Sequence, residues 1–284
     1  MNHFKPILYM FVLSLCSTLA VAEETTAISK ADSISNEVNY TEDTFFSSRV
    51  VNGQSTEGIP QNRLDLRIQH RFGLINQGYS QFFGLDQAYT FFGLEYGIKD
   101  WWMVGINRSL IDKTVGGFTK LSLYRQSTGA KTTPLSVSLL LGTSVIGTQY
   151  SDPARNNDFS SRVSYITQVL IARKLSTNFS AQLSPIWIHR NLVAVYTDRN
   201  DLFALGISAR YKLTPVLSLN GEYYPVINPS TYQKQNYNNS LSFGFDIETA
   251  GHVFQIVLSN STDMIEKGFI GDTGGDWLKG GIHL

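Results

Sequence analysis

Cysteine is almost missing from this chain: Cys16 is the only one in 284 residues. A lone thiol makes no intrachain disulfide, so no cross-linked framework and no cysteine-ligated metal centre is expected. Charge is also scarce, at 16 % of residues against about a quarter in an average soluble domain. What charge there is balances at 23 basic against 23 acidic residues, so no global field draws in nucleic acid. Beyond the N-terminus no apolar run approaches the roughly 20 residues of a membrane helix. Any membrane crossing must then be made by strands, because hydrocarbon forces every backbone polar group to bond internally. The patterns G-x-x-x-x-G-K-[ST], G-x-S-x-G and H-E-x-x-H are absent too. Nucleotide, esterase and zinc-protease chemistry have no local signature, and no cofactor or metal is expected.

The N-terminus reads as a secretory signal over 1–22. Lys5 supplies the positive start, 7–19 the apolar core, and Ala20-Val21-Ala22 a small-residue cleavage site. A lipoprotein reading would use Cys16, but Leu15 before it is too large for a good lipobox. Cleavage removes Cys16, leaving an exported chain without a thiol.

Residues 23–60 form a polar leader, acidic at its start. Within it TFFSSRVVNGQS (44–55) is too aromatic for a plain linker and is a candidate plug, with Arg49 pairing an interior carboxylate such as Glu95 or Glu222. Over 61–284 the pattern turns to period two and gives eleven strand candidates: 63–72, 88–97, 101–110, 117–126, 135–146, 160–173, 178–190, 201–213, 215–226, 239–248 and 252–261. Most are near the 9–11 residues of a tilted membrane strand. In 201–213, Phe203, Leu205, Ile207, Ala209 and Tyr211 face one way and Ala204, Gly206, Ser208, Arg210 and Lys212 the other. Short and long connections alternate, with 127–134 the irregular member, as in outer-membrane barrels with tight periplasmic turns and longer outside loops. Trp101, Trp102 and Tyr211 fall at short-turn ends and Tyr89, Tyr223 and Tyr224 at long-loop ends, the positions of two aromatic girdles.

An even number of strands returns the chain to the periplasm, whereas eleven leave it outside. Gly281–Leu284 reads as the opening of a twelfth strand, so the expectation is an all-β, antiparallel up-and-down transmembrane β-barrel of about 12 strands, truncated here near the start of its closing strand.

Several longer runs point the same way: LDLRIQHRFG (64–73), FGLDQA (83–88), GLEYGIKDWWMVGINRS (93–109), LYRQSTG (123–129), FSSRVSYITQVLIARK (159–174), HRNLV (189–193), SLSFGFDIETAGHVFQ (240–255) and EKGFIG (266–271). On these the chain resembles a Bacteroidota outer-membrane β-barrel family catalogued as domain of unknown function 5777. The resemblance runs from about Thr44 to the C-terminus and implies a Gram-negative outer-membrane barrel without naming an activity. Ala250 departs from the pattern where a second turn glycine is expected, and the usual aromatic-rich final strand is absent.

The polar face of the strands is expected to line the lumen. Its charged candidates are Arg67, Arg71, Glu95, Arg108, Lys120, Arg162, Arg190, Arg210, Glu222, Asp246 and Glu248, with Arg210 beside Glu222 and Glu222 beside Asp246. Such residues make either a structural ion-pair network or a constriction that orients a charged solute. Histidines His70, His189, His252 and His283 are scattered, and neither His189 nor His252 has a serine singled out by spacing, so no catalytic residue is assigned. Asp272 and Asp276 in GDTGGDW lack the spacing of a calcium loop. The expected function is porin-like passage or gated transport of a small solute. The alternative is a stoppered structural barrel that anchors or receives a periplasmic partner, and an outer-membrane lipid enzyme stands third. Outer-membrane lipid is the expected surrounding, a small solute or a periplasmic protein the further partner, and nucleic acid is not expected.

Overall fold

The computed structural model describes residues 37–148, 158–249 and 251–284. The signal segment, Cys16 and Ala250 lie outside the described residues.

The strands are β1 (Val38–Tyr40), β2 (Leu64–Phe72), β3 (Ala88–Lys99), β4 (Trp102–Ser109), β5 (Val115–Tyr124), β6 (Ser127–Gly129), β7 (Ser136–Val145), β8 (Val163–Lys174), β9 (Phe179–Arg190), β10 (Asp201–Lys212), β11 (Leu217–Tyr224), β12 (Ser240–Thr249) and β13 (His252–Ser259). Two short helices, α1 (Thr231–Asn236) and α2 (Glu266–Gly271), sit in long connections. Eleven strands form one sheet in the order β13-β12-β11-β10-β9-β8-β7-β5-β4-β3-β2, and β1 pairs only with β6. Every neighbour in the large sheet is antiparallel and sequential apart from the short β6 excursion.

Alternation in the sequence becomes alternation of faces. On β10, Leu202, Ala204, Gly206, Ser208 and Arg210 are buried, while Phe203, Ile207 and Tyr211 are exposed. On β12, Ser240, Ser242, Gly244 and Asp246 are buried and Phe243, Phe245 and Ile247 exposed. One face is thus apolar and unburied and the other polar and covered, the reverse of a soluble sheet with its greasy side inward.

Short turns are tight. Thr249 pairs with His252 across Gly251, whose φ of 90° is the left-handed conformation that glycine tolerates. The β10–β11 turn is wider than a single Thr214. Lys212 pairs with Ser218, and the Thr214 hydroxyl accepts the Val216 and Leu217 N–H groups, because Pro215 has no N–H to give a ladder.

No ladder joins the two edge strands, β2 and β13. Gly281–Leu284 lies between them at the long-loop end. His283 bridges to both Ser259 and Leu74, Phe72 N–H donates to Leu284 O (2.7 Å), and Ile75 N–H donates to Ile282 O (2.9 Å).

Two site expectations are placed differently, one by strand parity and one by the start of a strand. Arg108 faces outward with Val104 and Ile106, because Met103, Gly105, Asn107 and Ser109 take the covered face of β4. Its guanidinium donates to Lys113 O (3.0 Å). Arg162 stands in a 3-10 turn before β8 rather than in the strand. Among the girdle candidates, Tyr224 points inward and is fully buried against Phe269.

Candidate functional site

The covered face of the sheet carries mostly small polar side chains: Ser138, Ser180, Ser184, Ser208, Ser218, Ser242 and Ser259 are all buried. Small inward residues leave room on the concave side, and residues 44–57 fill it. This segment is a narrow hairpin: Arg49 and Gln54 form an antiparallel bridge, Val50 N–H donates to Gly53 O (2.8 Å), and Ser55 N–H donates to Ser48 O (2.8 Å). Val51 and Asn52 form its tip.

Glu222 holds that tip. Its carboxylate accepts three consecutive backbone N–H groups, from Val51 (3.2 Å), Asn52 (2.9 Å) and Gly53 (3.0 Å). Successive N–H groups converging on one anion form a nest, here with the acid supplied by the wall. Gly53 has no room for a side chain, since a Cβ there would lie 1.6 Å from the Tyr224 hydroxyl oxygen.

Lys120 holds the arms by donating to Ser48 O (3.3 Å), Gln54 Oε1 (3.2 Å) and Ser55 O (3.1 Å). Gln182 donates to Gln54 O (2.8 Å) and accepts from Thr56 N–H (3.0 Å). Arg71 donates to Asn52 Oδ1 (2.7 Å), Asn52 donates to Ser242 Oγ (3.0 Å), and Gln255 donates to Val50 O (2.9 Å). Ser138 donates to Thr56 O (3.2 Å), Arg67 to Ser48 Oγ (3.3 Å), and Arg210 to Asp43 O (3.3 Å). With Glu95 beside Arg49, eight sheet strands (β2, β3, β5, β7, β9, β11, β12 and β13) bond to residues 44–57, and β10 bonds to Asp43 just before them. A sheet touching a hairpin from both of its edge strands and from most strands between must curl around it.

A second insertion meets the hairpin from the long-loop side. Phe269 and Ile270 of α2 pack with Ile186, Ile188, Leu202, Ala204 and Tyr224, while Met264 and Ile265 pack on Phe91. Arg49 is the junction. Its Nη1 lies 3.2 Å from Glu266 Oε1 of α2 and donates to Asn52 O (2.5 Å), its Nε lies 3.8 Å from Glu95 Oε1, and its guanidinium sits over Phe91 at 5.4 Å. The guanidinium, itself buried, thereby joins hairpin, wall and cap.

Two clefts flank this junction. One of about 370 Å³, open mouth included, lies beside α2 between Asn107, Ser144, Ser164 and Lys267. One of about 200 Å³ lies on the short-turn side by Thr56 and Trp102. They share no lining residue.

The other charged candidates disperse. Arg210 pairs with Glu248, not with Glu222: Ser208 stands opposite Glu222 and Asn220 opposite Arg210. Asp246 accepts from Gln255 (2.5 Å) and lies opposite Ser218, further along the strand than Glu222. Arg190 closes the long-loop end, paired with Asp198 (3.0 Å) and Asp272 (3.5 Å). Burial raises the Asp272 carboxyl above its ordinary range. Glu57, at the base of the hairpin, accepts from Phe45 N–H (3.3 Å), and burial raises its carboxyl too.

Glu266 and its helix are functional residues that spacing did not single out. The usable signal was two apolar pairs, Met264-Ile265 and Phe269-Ile270, in a connection that should otherwise be polar. Among the described residues no group of three or more His, Cys, Asp or Glu stands close enough to hold a metal.

No curated protein and no solved structure matches this chain. A many-stranded antiparallel sheet, apolar on its open face and polar on its filled one, is the architecture expected of a family whose model matches residues 45–284, and the chain belongs to that family, described as a membrane bound beta barrel domain (DUF5777).

Proposed function

We propose that the protein is an outer-membrane β-barrel held shut by its own N-terminal hairpin, a structural or anchoring body that receives a periplasmic partner on its short-turn side. The observation that carries this is the Arg49 junction, where hairpin, wall and α2 meet in buried ion pairs. The signal-like N-terminus and the resemblance to Bacteroidota barrels support outer-membrane placement in a Gram-negative envelope. The exposed apolar row supports a lipid surrounding. The role is non-catalytic. The partner's approach is from the leader's side, where β1 lies along β6 with its other edge free of ladder partners among the described residues; an exposed strand edge of this kind takes up extended peptide.

Gated passage of a small solute is the second reading. It is favoured by how the hairpin is held: side-chain hydrogen bonds and ion pairs fix it, and among the described residues no ladder bonds it to the wall. A partner that pulls the leader can withdraw it strand-free. Planar-bilayer recording tests both. The intact chain should be silent and a chain lacking 44–57 should conduct. Steady open-pore current from the intact chain would overturn the stoppered reading, and silence from both would overturn gated passage.

A further inference from the structure

We propose that the open seam between β2 and β13 is a built acceptor for one more β-strand, running in line with Gly281–Leu284, antiparallel to both edges, and carrying carboxylates or other acceptors on its inner face. The proposal rests on the barrel reading above.

Three observations converge on the seam. Each edge strand has a ladder on one side only, and Gly281–Leu284 already bonds to both at the long-loop end. His283 exchanges hydrogen bonds with Ser259 in both directions (3.0 and 2.7 Å), and its Nδ1 lies 2.8 Å from Phe72 O. This wedge keeps β2 and β13 from zipping directly together.

Outside, the edge rows are short of cover. Leu66 on β2 and Phe254 on β13 are 65 % and 60 % exposed, above Phe203 and Phe245 on interior strands at 47 % and 44 %; on interior β4, Ile106 reaches 62 % opposite Gly117. Inside, edge strand β2 carries unpartnered polar groups of its own. Arg67 Nε, Gln69 Oε1 and both Nε and Nη1 of Arg71 are buried without a hydrogen-bond partner. Arg71 is 2 % exposed, and none of the ion pairs among the described residues includes it. A buried guanidinium short of acceptors is costly, and a carboxylate facing it would remove that cost.

Register follows from the bonds already made. Counting from the Phe72–Leu284 hydrogen bond and the His283–Ser259 pair, the first position after Leu284 faces inward between Arg71 and Val257. The third lies between Gln69 and Gln255, and the fifth opposite Arg67. The fourth faces outward between Ile68 and Phe254. The inner face of the accepted strand should therefore be acidic at its first and fifth positions and amide or hydroxyl at its third.

The test extends the chain after Leu284 by ten alternating residues, with glutamate at positions one and five, glutamine at three and cysteine at four, in a Cys16→Ser background. Oxidation with Ile68→Cys, and separately with Phe254→Cys, should give intramolecular disulfides, since opposed side chains on neighbouring strands lie within bridging range. A second extension with lysine at positions one and five should lose them. Equal cross-linking by both extensions overturns the acidic inner face. In a variant carrying both Ile68→Cys and Phe254→Cys but no extension cysteine, a direct intramolecular disulfide overturns the acceptor itself, as does a cross-linked dimer from either single variant. Flotation of the same samples with phosphatidylethanolamine–phosphatidylglycerol vesicles separates the two readings: flotation without cross-links overturns the seam alone, and no flotation overturns the barrel reading and this proposal with it.

Discussion

Glu222 sits at mid-wall with both carboxylate oxygens occupied by the hairpin tip, so it is the wall residue whose removal should matter most to the hairpin. Glu222→Gln keeps one acceptor oxygen and puts a donor where N–H groups converge. About 1–3 kcal/mol of hairpin attachment should be lost, read as faster hydrogen exchange at Val51, Asn52 and Gly53 with exchange in the sheet unchanged. Gly53→Ala should reach the same end by sterics: Tyr224 is locked edge-on against Phe269 at 5.1 Å and has nowhere to retreat. Asp263 offers a pH handle outside the strands. Its Oδ1 accepts from Met264 N–H (2.7 Å) and Ile265 N–H (3.1 Å), and burial of the carboxyl pushes it up to about 6, although part of the residue meets water. The folded state therefore binds the proton more tightly than the unfolded one. Stability from this group is present below the unfolded value near 3.9 and is lost as pH rises through about 6, on the order of 2–3 kcal/mol at most. Exchange at Met264 and Ile265 should accelerate across that window, and Asp263→Asn, which keeps the acceptor, should flatten the profile and protect both amides at neutral pH.

Hairpin and cap act as a pair through Arg49 and Glu266. Removing either partner strands a buried charge, which typically costs 3–5 kcal/mol, so Arg49→Met or Glu266→Gln alone should loosen both insertions, while the double substitution should recover much of the loss. Limited proteolysis within 44–57 and 262–276 reads the two insertions independently, and equal loosening in single and double variants would refute the coupling. The sequence was a good guide to the wall. Period-two runs placed the eleven strands to within a few residues, because an antiparallel strand with two different solvents on its faces must alternate. It was a poor guide wherever side chains, not backbone period, decide the outcome. Arg108 is expected inward as a charged residue of a strand, yet Met103, apolar, takes the covered face of β4 and Arg108 the open one. The partner of Arg210 was misread because register depends on turn width at Pro215, which spacing does not reveal. The hairpin announced itself by aromatic content and Arg49, but its three-amide contact with Glu222 is a backbone feature and leaves no mark in residue type. β1 and β6, three residues each, fall below the length at which alternation can be seen.

A β-sheet protein with 42 % hydrophobic residues and a filled polar interior has put its apolar side chains where water would penalise them. Membrane association resolves that conflict and makes a prediction that a water-soluble sheet would fail. Ile207 lies in the middle of β10 on the exposed face, 44 % accessible, and Phe203 lies on the same face near the long-loop end. In water an arginine at either exposed position would change stability by no more than about 0.5 kcal/mol. In a bilayer the cost depends on depth, about 2–4 kcal/mol at the midplane and about 0–1 near the interface. Ile207→Arg should therefore destabilise the vesicle-refolded protein by the larger amount and Phe203→Arg by the smaller, measured by denaturant titration of lipid-inserted samples. Equal and negligible effects would mean that the apolar face meets another protein surface or water instead of hydrocarbon. A graded effect would locate the bilayer centre along β10. It would also place the Glu222 nest within a residue or two of that depth, since Ser208, the neighbour of Ile207, stands directly opposite Glu222.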